Sequence, residues 1–140
     1  MNDAMRNFLP TWIAALRQPN RLQTTHNLET ISQQGTKFQC CLGVLCEIYP
    51  GTTREPAMFR DLTQYVFANT ADTGLLPPGL ADHLGIHNDP ELHSNDDTGY
   101  ALIRKNHRTT LTYLNDGLNF NFNQIADVLQ GVLDGHIDLT

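Results

Sequence analysis

Near the start of the chain Met5, Phe8, Trp12, Ile13 and Leu16 recur in steps of three and four. One helical face carries them, with Arg6 and Arg17 off it. Pro10 fits best in a first helical turn, where its missing N–H breaks no hydrogen bond. The spacing therefore predicts a helix from about Leu9 to Gln18, ended by Pro19-Asn20. Residues 21–39 are polar and rich in Thr and Gln, with Leu22, Leu28, Ile31 and Phe38 unevenly spaced. With Gln34-Gly35-Thr36 as the turn, they predict a short β-hairpin. Cys41, Val44, Leu45 and Ile48 form the next helical face. Leu42 and Tyr49 widen it almost all round, which predicts a core helix stopped by Pro50-Gly51. Gly43 inside it implies that another backbone packs closely there.

After Pro56, the set Met58, Phe59, Leu62, Tyr65 and Val66 suits an amphipathic helix. Leu76-Pro77-Pro78-Gly79 is a rigid turn into a short helix, Leu80 to Leu84, closed by Gly85. His87 to Gly99, with Asp89, Glu91, Asp96 and Asp97, is polar and predicts a surface loop. Tyr100 to Ile103, Leu111 and Leu114 lead to Asn115-Asp116-Gly117, which has the form of a helix stop with a left-handed cap. Asn121 and Gln124 match a capping box, and Phe120 with Ile125 matches a hydrophobic staple. Ile125, Val128, Leu129, Val132 and Leu133 continue the last helix to Gly135. The expected fold is α+β: one compact domain over residues 1–140, mostly helical, with a small antiparallel β element.

A chain of 140 residues with 40% hydrophobic and 17% charged positions can bury a core without staples. It has neither an apolar run of membrane-spanning length nor the basic, apolar start of a signal peptide, so a cytoplasmic location is expected. A net charge of −6 opposes nonspecific nucleic-acid binding. Cys40, Cys41 and Cys46, three thiols within seven residues, fit neither a disulfide framework nor zinc-ligand pairs. They read as reduced core residues.

His83, His87 and His93 lie among acidic residues, but Gly85 breaks the helix between the first two, and no metal or other cofactor is expected. No catalytic motif appears, so no catalytic residues are assigned and enzyme activity is not expected. The final helix carries Asp127 and Asp134 without Lys or Arg, which argues against a DNA-recognition helix. The sharpest chemical feature is Arg104-Lys105-Asn106-His107-Arg108, which holds three of the nine Lys and Arg side chains. As a helix it would align Arg104, His107 and Arg108 on one face able to grip phosphates, with Arg54 and Arg60 as contributors. The alternative is a solvated face paired with Asp96, Asp97 or Asp116.

Three segments carry a resemblance: Trp12 to Arg17, Cys40-Cys41-Leu42-Gly43-Val44-Leu45-Cys46-Glu47, and Leu114 to Gly117 together with Phe122 to Asp127. Leu76-Pro77-Pro78 and Leu84-Gly85-Ile86 fit the same pattern. The chain resembles a family of small uncharacterised proteins of bacteriophages and prophages. That resemblance assigns no activity and no functional residue. It implies an accessory protein of the infected bacterial cell that acts by binding. The leading expectation is a counter-defence protein that sequesters a nucleotide-derived immune signal at a small anionic-ligand site. Next comes an acidic inhibitor or adaptor acting on a host protein, and last an enzyme using Cys40 or a histidine. Neither nucleic acid nor membrane is an expected partner, and a homo-oligomer is left open.

Overall fold

The computed structural model describes residues 1–58, 61–95, 103 and 108–140. Its helices are α1 (Asp3–Leu16), α2 (Cys41–Ile48), α3 (Pro78–Leu84) and α4 (Phe122–Leu133). Its strands are β1 (Glu29–Ile31), β2 (Lys37–Gln39), β3 (Thr53–Pro56), β4 (Thr63–Phe67), β5 (Thr70–Asp72), β6 (Glu91–Ser94), β7 (Arg108–Thr110) and β8 (Ile137–Leu139). They pair as three antiparallel sheets, ordered β1-β2, β3-β4-β5 and β7-β6-β8. With 38% helix and 24% strand among the described residues the fold is mixed α+β, which corrects the expectation of a mostly helical chain. Strands of three to five residues are too short to show the alternation that marks a strand in sequence.

Three segments depart from the expected elements. The helix expected from Met58 to Val66 is replaced, over Thr63–Phe67, by the central strand of the second sheet. Thr63 and Tyr65 point inward, and Ala68 and Asn69, both at positive φ, close a two-residue hairpin to β5. The β-branched and aromatic run Thr-Gln-Tyr-Val-Phe suits that pleat. The loop expected from His87 contains β6, the middle strand of the third sheet, with Leu92 and Ser94 buried. Asn115-Asp116-Gly117 is no left-handed helix stop: Tyr113–Gly117 form a π-helical turn, and the residue at positive φ is Asn119.

Other expectations hold. The hairpin turns at Gly35, φ +81°, and pairs Glu29 with Gln39 and Ile31 with Lys37. Helix α3 ends at Gly85, φ +67°. The start of α1 differs from expectation because Asn2 caps it, its Oδ1 accepting from the Met5 amide at 3.1 Å. Pro10 therefore lies mid-helix. Pro10 and Arg6 both sit on the exposed face, where solvent can reach the carbonyl that Pro10 leaves without an amide.

The core joins Leu9, Trp12 and Leu16 of α1, Leu42, Val44 and Leu45 of α2, and Ile125, Val128 and Leu129 of α4. The Trp12 indole donates to the Cys41 carbonyl at 3.1 Å. Helix α2 has no capping side chain of its own. Buried Asn115 supplies the cap from far along the chain: its Oδ1 accepts from the Cys41 amide at 3.2 Å and from Gln23 Nε2 at 2.8 Å. Its Nδ2 donates to the Thr24 carbonyl at 2.9 Å. Two of the segments that carry the family resemblance thus meet in one polar joint, which also fixes the 21–24 loop. That loop then runs along β2, with the Thr24 amide donating to the Gln39 carbonyl and the Gln39 amide to that of Leu22, each at 2.9 Å.

At α4 the capping box is complete. The Gln124 amide donates to Asn121 Oδ1 at 2.8 Å, and the Asn121 amide donates to Gln124 Oε1 at 2.9 Å. Replacing Asn121 with Ala is expected to destabilise the protein by about 1 kcal/mol, read as a thermal-melt shift of several degrees.

Candidate ligand cleft and its buried polar network

Side-chain alternation puts Lys37 and Gln39 on the same face of β2, and Glu47 projects toward them from the last turn of α2. Arg21, just beyond Pro19-Asn20, completes the group. Its Nη1 donates to Glu47 Oε2 at 2.8 Å and to Gln39 Oε1 at 3.1 Å, and its Nε donates to Gln18 Oε1 at 3.0 Å. Lys37 Nζ pairs with Glu47 Oε1, and Gln39 Nε2 lies 3.1 Å from Glu47 Oε2. These side chains, with Pro19, Leu22 and Asn20, line an open cleft of about 490 Å³.

Behind the cleft lies Glu29, with 0% of its surface exposed. Its Oε1 accepts from the Tyr65 hydroxyl at 2.6 Å, and its Oε2 from the Thr63 hydroxyl at 2.5 Å. Arg54 reaches the same Oε2 through Nε at 3.2 Å and through Nη2. Gln39 Nε2 links the two carboxylates, lying 3.2 Å from Glu29 Oε1 and 3.2 Å from the Tyr65 hydroxyl. A buried carboxylate is tolerated only with this kind of complete pairing. Burial and the adjacent Glu29 push the Tyr65 phenol well above its usual range, so Tyr65 acts as a donor. The hydrogen bond to Glu29 likewise raises Arg54. The network therefore pre-positions the Gln39 amide at the cleft wall.

Burial works against the charged form of Glu47, yet hydrogen bonds from Lys37, Arg21 and Gln39 hold its pKa at about 2. The folded value lies below the ordinary 4.5, so this stabilisation is complete above about pH 4.5 and is lost as pH falls toward 2. Urea melts between pH 7 and pH 2.5 should show an acid-labile contribution on the order of 2 kcal/mol, and Glu47→Gln should flatten that limb.

The residues singled out in the sequence have other placements. Arg54 lies in β3 and is committed to Glu29, while Arg108 is exposed at the start of β7, in a different sheet. The helical face drawn through Arg104, His107 and Arg108 fails at Arg108, which is a strand residue opposite His93. Arg60, Arg104, Lys105 and His107 lie outside the described residues, as do Asp96 and Asp97.

All three cysteines are buried and unbridged. Burial pushes Cys40 up to about 12 and raises Cys41 and Cys46 well above their ordinary value, so the thiols are protonated packing groups. His83 Nε2 lies 2.9 Å from the Tyr49 hydroxyl, within an aromatic group that includes Phe67. Among the described residues, no group of three or more His, Cys, Asp or Glu could hold a metal ion, and no helix is long and apolar enough to cross a membrane.

Arg21, Lys37, Gln39 and Glu47 were not singled out in the sequence. Two signals pointed their way: the i, i+2 pair Lys37 and Gln39 in a predicted hairpin, and Glu47 as the lone charge of an apolar helix. The family model described as "Domain of unknown function (DUF8296)" matches residues 1–133. No curated protein and no solved structure matches the chain.

Proposed function

The chain belongs to the DUF8296 family, and we propose that it is a non-enzymatic binding protein that holds a small anionic, nucleotide-like ligand in the Arg21–Lys37–Glu47 cleft. One observation carries this reading: two cationic side chains line a ligand-sized hollow beside the apolar surfaces of Pro19 and Leu22. Arg and Lys suit an oxyanion, and the apolar wall suits the flat face of a base. In a phage-encoded setting, which the sequence resemblance implies, such binding would sequester a nucleotide-derived immune signal in the host cell.

Isothermal titration with a panel of adenine nucleotides tests the proposal. Arg21→Ala combined with Lys37→Ala should weaken binding a hundredfold or more, since each charge-assisted bond is worth ~1.5–3 kcal/mol. Arg104→Ala combined with Arg108→Ala should leave it unchanged. The opposite pattern would move the ligand to the basic cluster, and absence of binding by every nucleotide would end the small-ligand reading.

A second reading, docking onto a host protein, is favoured by one surface. Tyr113 is 55% and Leu118 45% exposed beside a hollow of about 470 Å³ that Arg108 also lines. Tyr and Arg, both present here, are among the residues enriched in binding hot spots.

A further inference from the structure

Resting on the cleft proposed above, we infer that the site selects singly charged oxyanions, accepting a phosphodiester in preference to a phosphomonoester. The first part of the argument is the inventory of donors. The two Nε and Nη1 groups of Arg21 are engaged by Gln18, Gln39 and Glu47, whereas both N–H groups of Nη2 meet no acceptor among the described residues. Lys37 Nζ has one acceptor, Glu47, leaving two of its three protons for a ligand. These four donors, on two residues that both line the cleft, match the two non-bridging oxygens of a phosphodiester in number, each oxygen offering two lone pairs.

The second part is the charge. Arg21 and Lys37 share the cleft with the Glu47 carboxylate, while the charges of buried Glu29 and its partner Arg54 cancel each other. One positive charge is left for the ligand. Glu47 has three partners and keeps its charge far into acid, so it stays in place as part of the wall and is not displaced by an incoming anion. A phosphodiester carries one negative charge. A terminal phosphomonoester carries about −1.5 to −2 at pH 7, with a second pKa of about 6. The additional charge would face Glu47 with no cation to meet it, and like charges brought together out of bulk water repel.

The test compares 3′,5′-cyclic AMP with 5′-AMP, which share base and sugar. The first is a diester closed on the 3′-oxygen, the second a monoester with the additional phosphate charge, and the pH series separates charge from shape. Calorimetry on the wild-type protein at pH 8 should find cyclic AMP bound about tenfold more tightly, a gap of about 1.4 kcal/mol. Between pH 8 and pH 5 the affinity for 5′-AMP should rise toward that for cyclic AMP, as its phosphate gains a proton. Cyclic AMP binding should stay level, because no histidine is among the described residues that line the cleft and Glu47 remains ionised throughout. Glu47→Gln adds one positive charge to the site and should reverse the preference at pH 8. The wild-type pH series decides the question even where that variant fails to fold. Equal affinity for both nucleotides, each lost with Arg21→Ala and Lys37→Ala, would overturn the charge selection and leave the cleft as the binding site. If neither nucleotide binds, both the selection and the cleft reading fall.

Discussion

Gly43→Ala should destabilise the protein by about 3 kcal/mol or more, seen as a large fall in the urea midpoint. A Cβ at this position would stand 1.8 Å from the Leu28 carbonyl oxygen and 2.7 Å from its carbon. Neither atom can yield cheaply. The Leu28 carbonyl accepts from the Cys40 amide at 3.2 Å, its amide donates to the Thr73 carbonyl at 2.7 Å, and its side chain is fully buried. Overpacking against a fixed backbone costs more than overpacking against a mobile side chain, so the upper end of the usual range applies. Gly74→Ala is the control: the nearest backbone atom to its added methyl is 3.6 Å away, an ordinary contact, and its effect should stay below about 1 kcal/mol. A near-neutral Gly43→Ala would show that the hairpin does not rest on α2. Because Leu28 immediately precedes the hairpin bearing Glu29, Lys37 and Gln39, the variant should also lose ligand binding if it still folds.

The second large effect is expected from Arg54→Met, which keeps the aliphatic stem and removes the guanidinium from Glu29. Taking the cation from a fully buried carboxylate typically costs about 3–5 kcal/mol, and the half-exposed position of Arg54 puts this case at the lower end. The Tyr65 and Thr63 hydroxyls continue to donate to Glu29, which places the expected loss near 3 kcal/mol in chemical denaturation. Adding Glu29→Gln should recover most of the loss by removing the stranded charge. A double variant no better than Arg54→Met would show that Arg54 contributes through packing and not through the ion pair.

The parts of this fold legible in the sequence are those whose partners lie within one or two turns of each other. The capping box pairs residues three positions apart, Gly85 ends α3 by its own backbone, and the apolar spacing of α2 and α4 exposes their buried faces. Gly43 belongs with them in part: its place in a helix implied a close backbone, although not which one. Local charge density in the sequence points to Arg104–Arg108 as the candidate chemistry. The cleft offers no such density, because its charges are dispersed and mutually paired.

Arg21 meets Glu47 across 26 positions, Glu29 meets Arg54 across 25, and Asn115 caps α2 across 74. Segment by segment, composition and periodicity determined that the chain buries a core, where its clearest helices lie and that its thiols belong inside. They could not determine whether Thr63–Phe67 pairs as a strand, because its short pattern satisfies a helix as well as a sheet until β3 and β5 flank it. Nor could they show which polar residues converge. A buried carboxylate is stable only where the fold delivers every donor it needs, and for Glu29 those donors come from β2, β3 and β4.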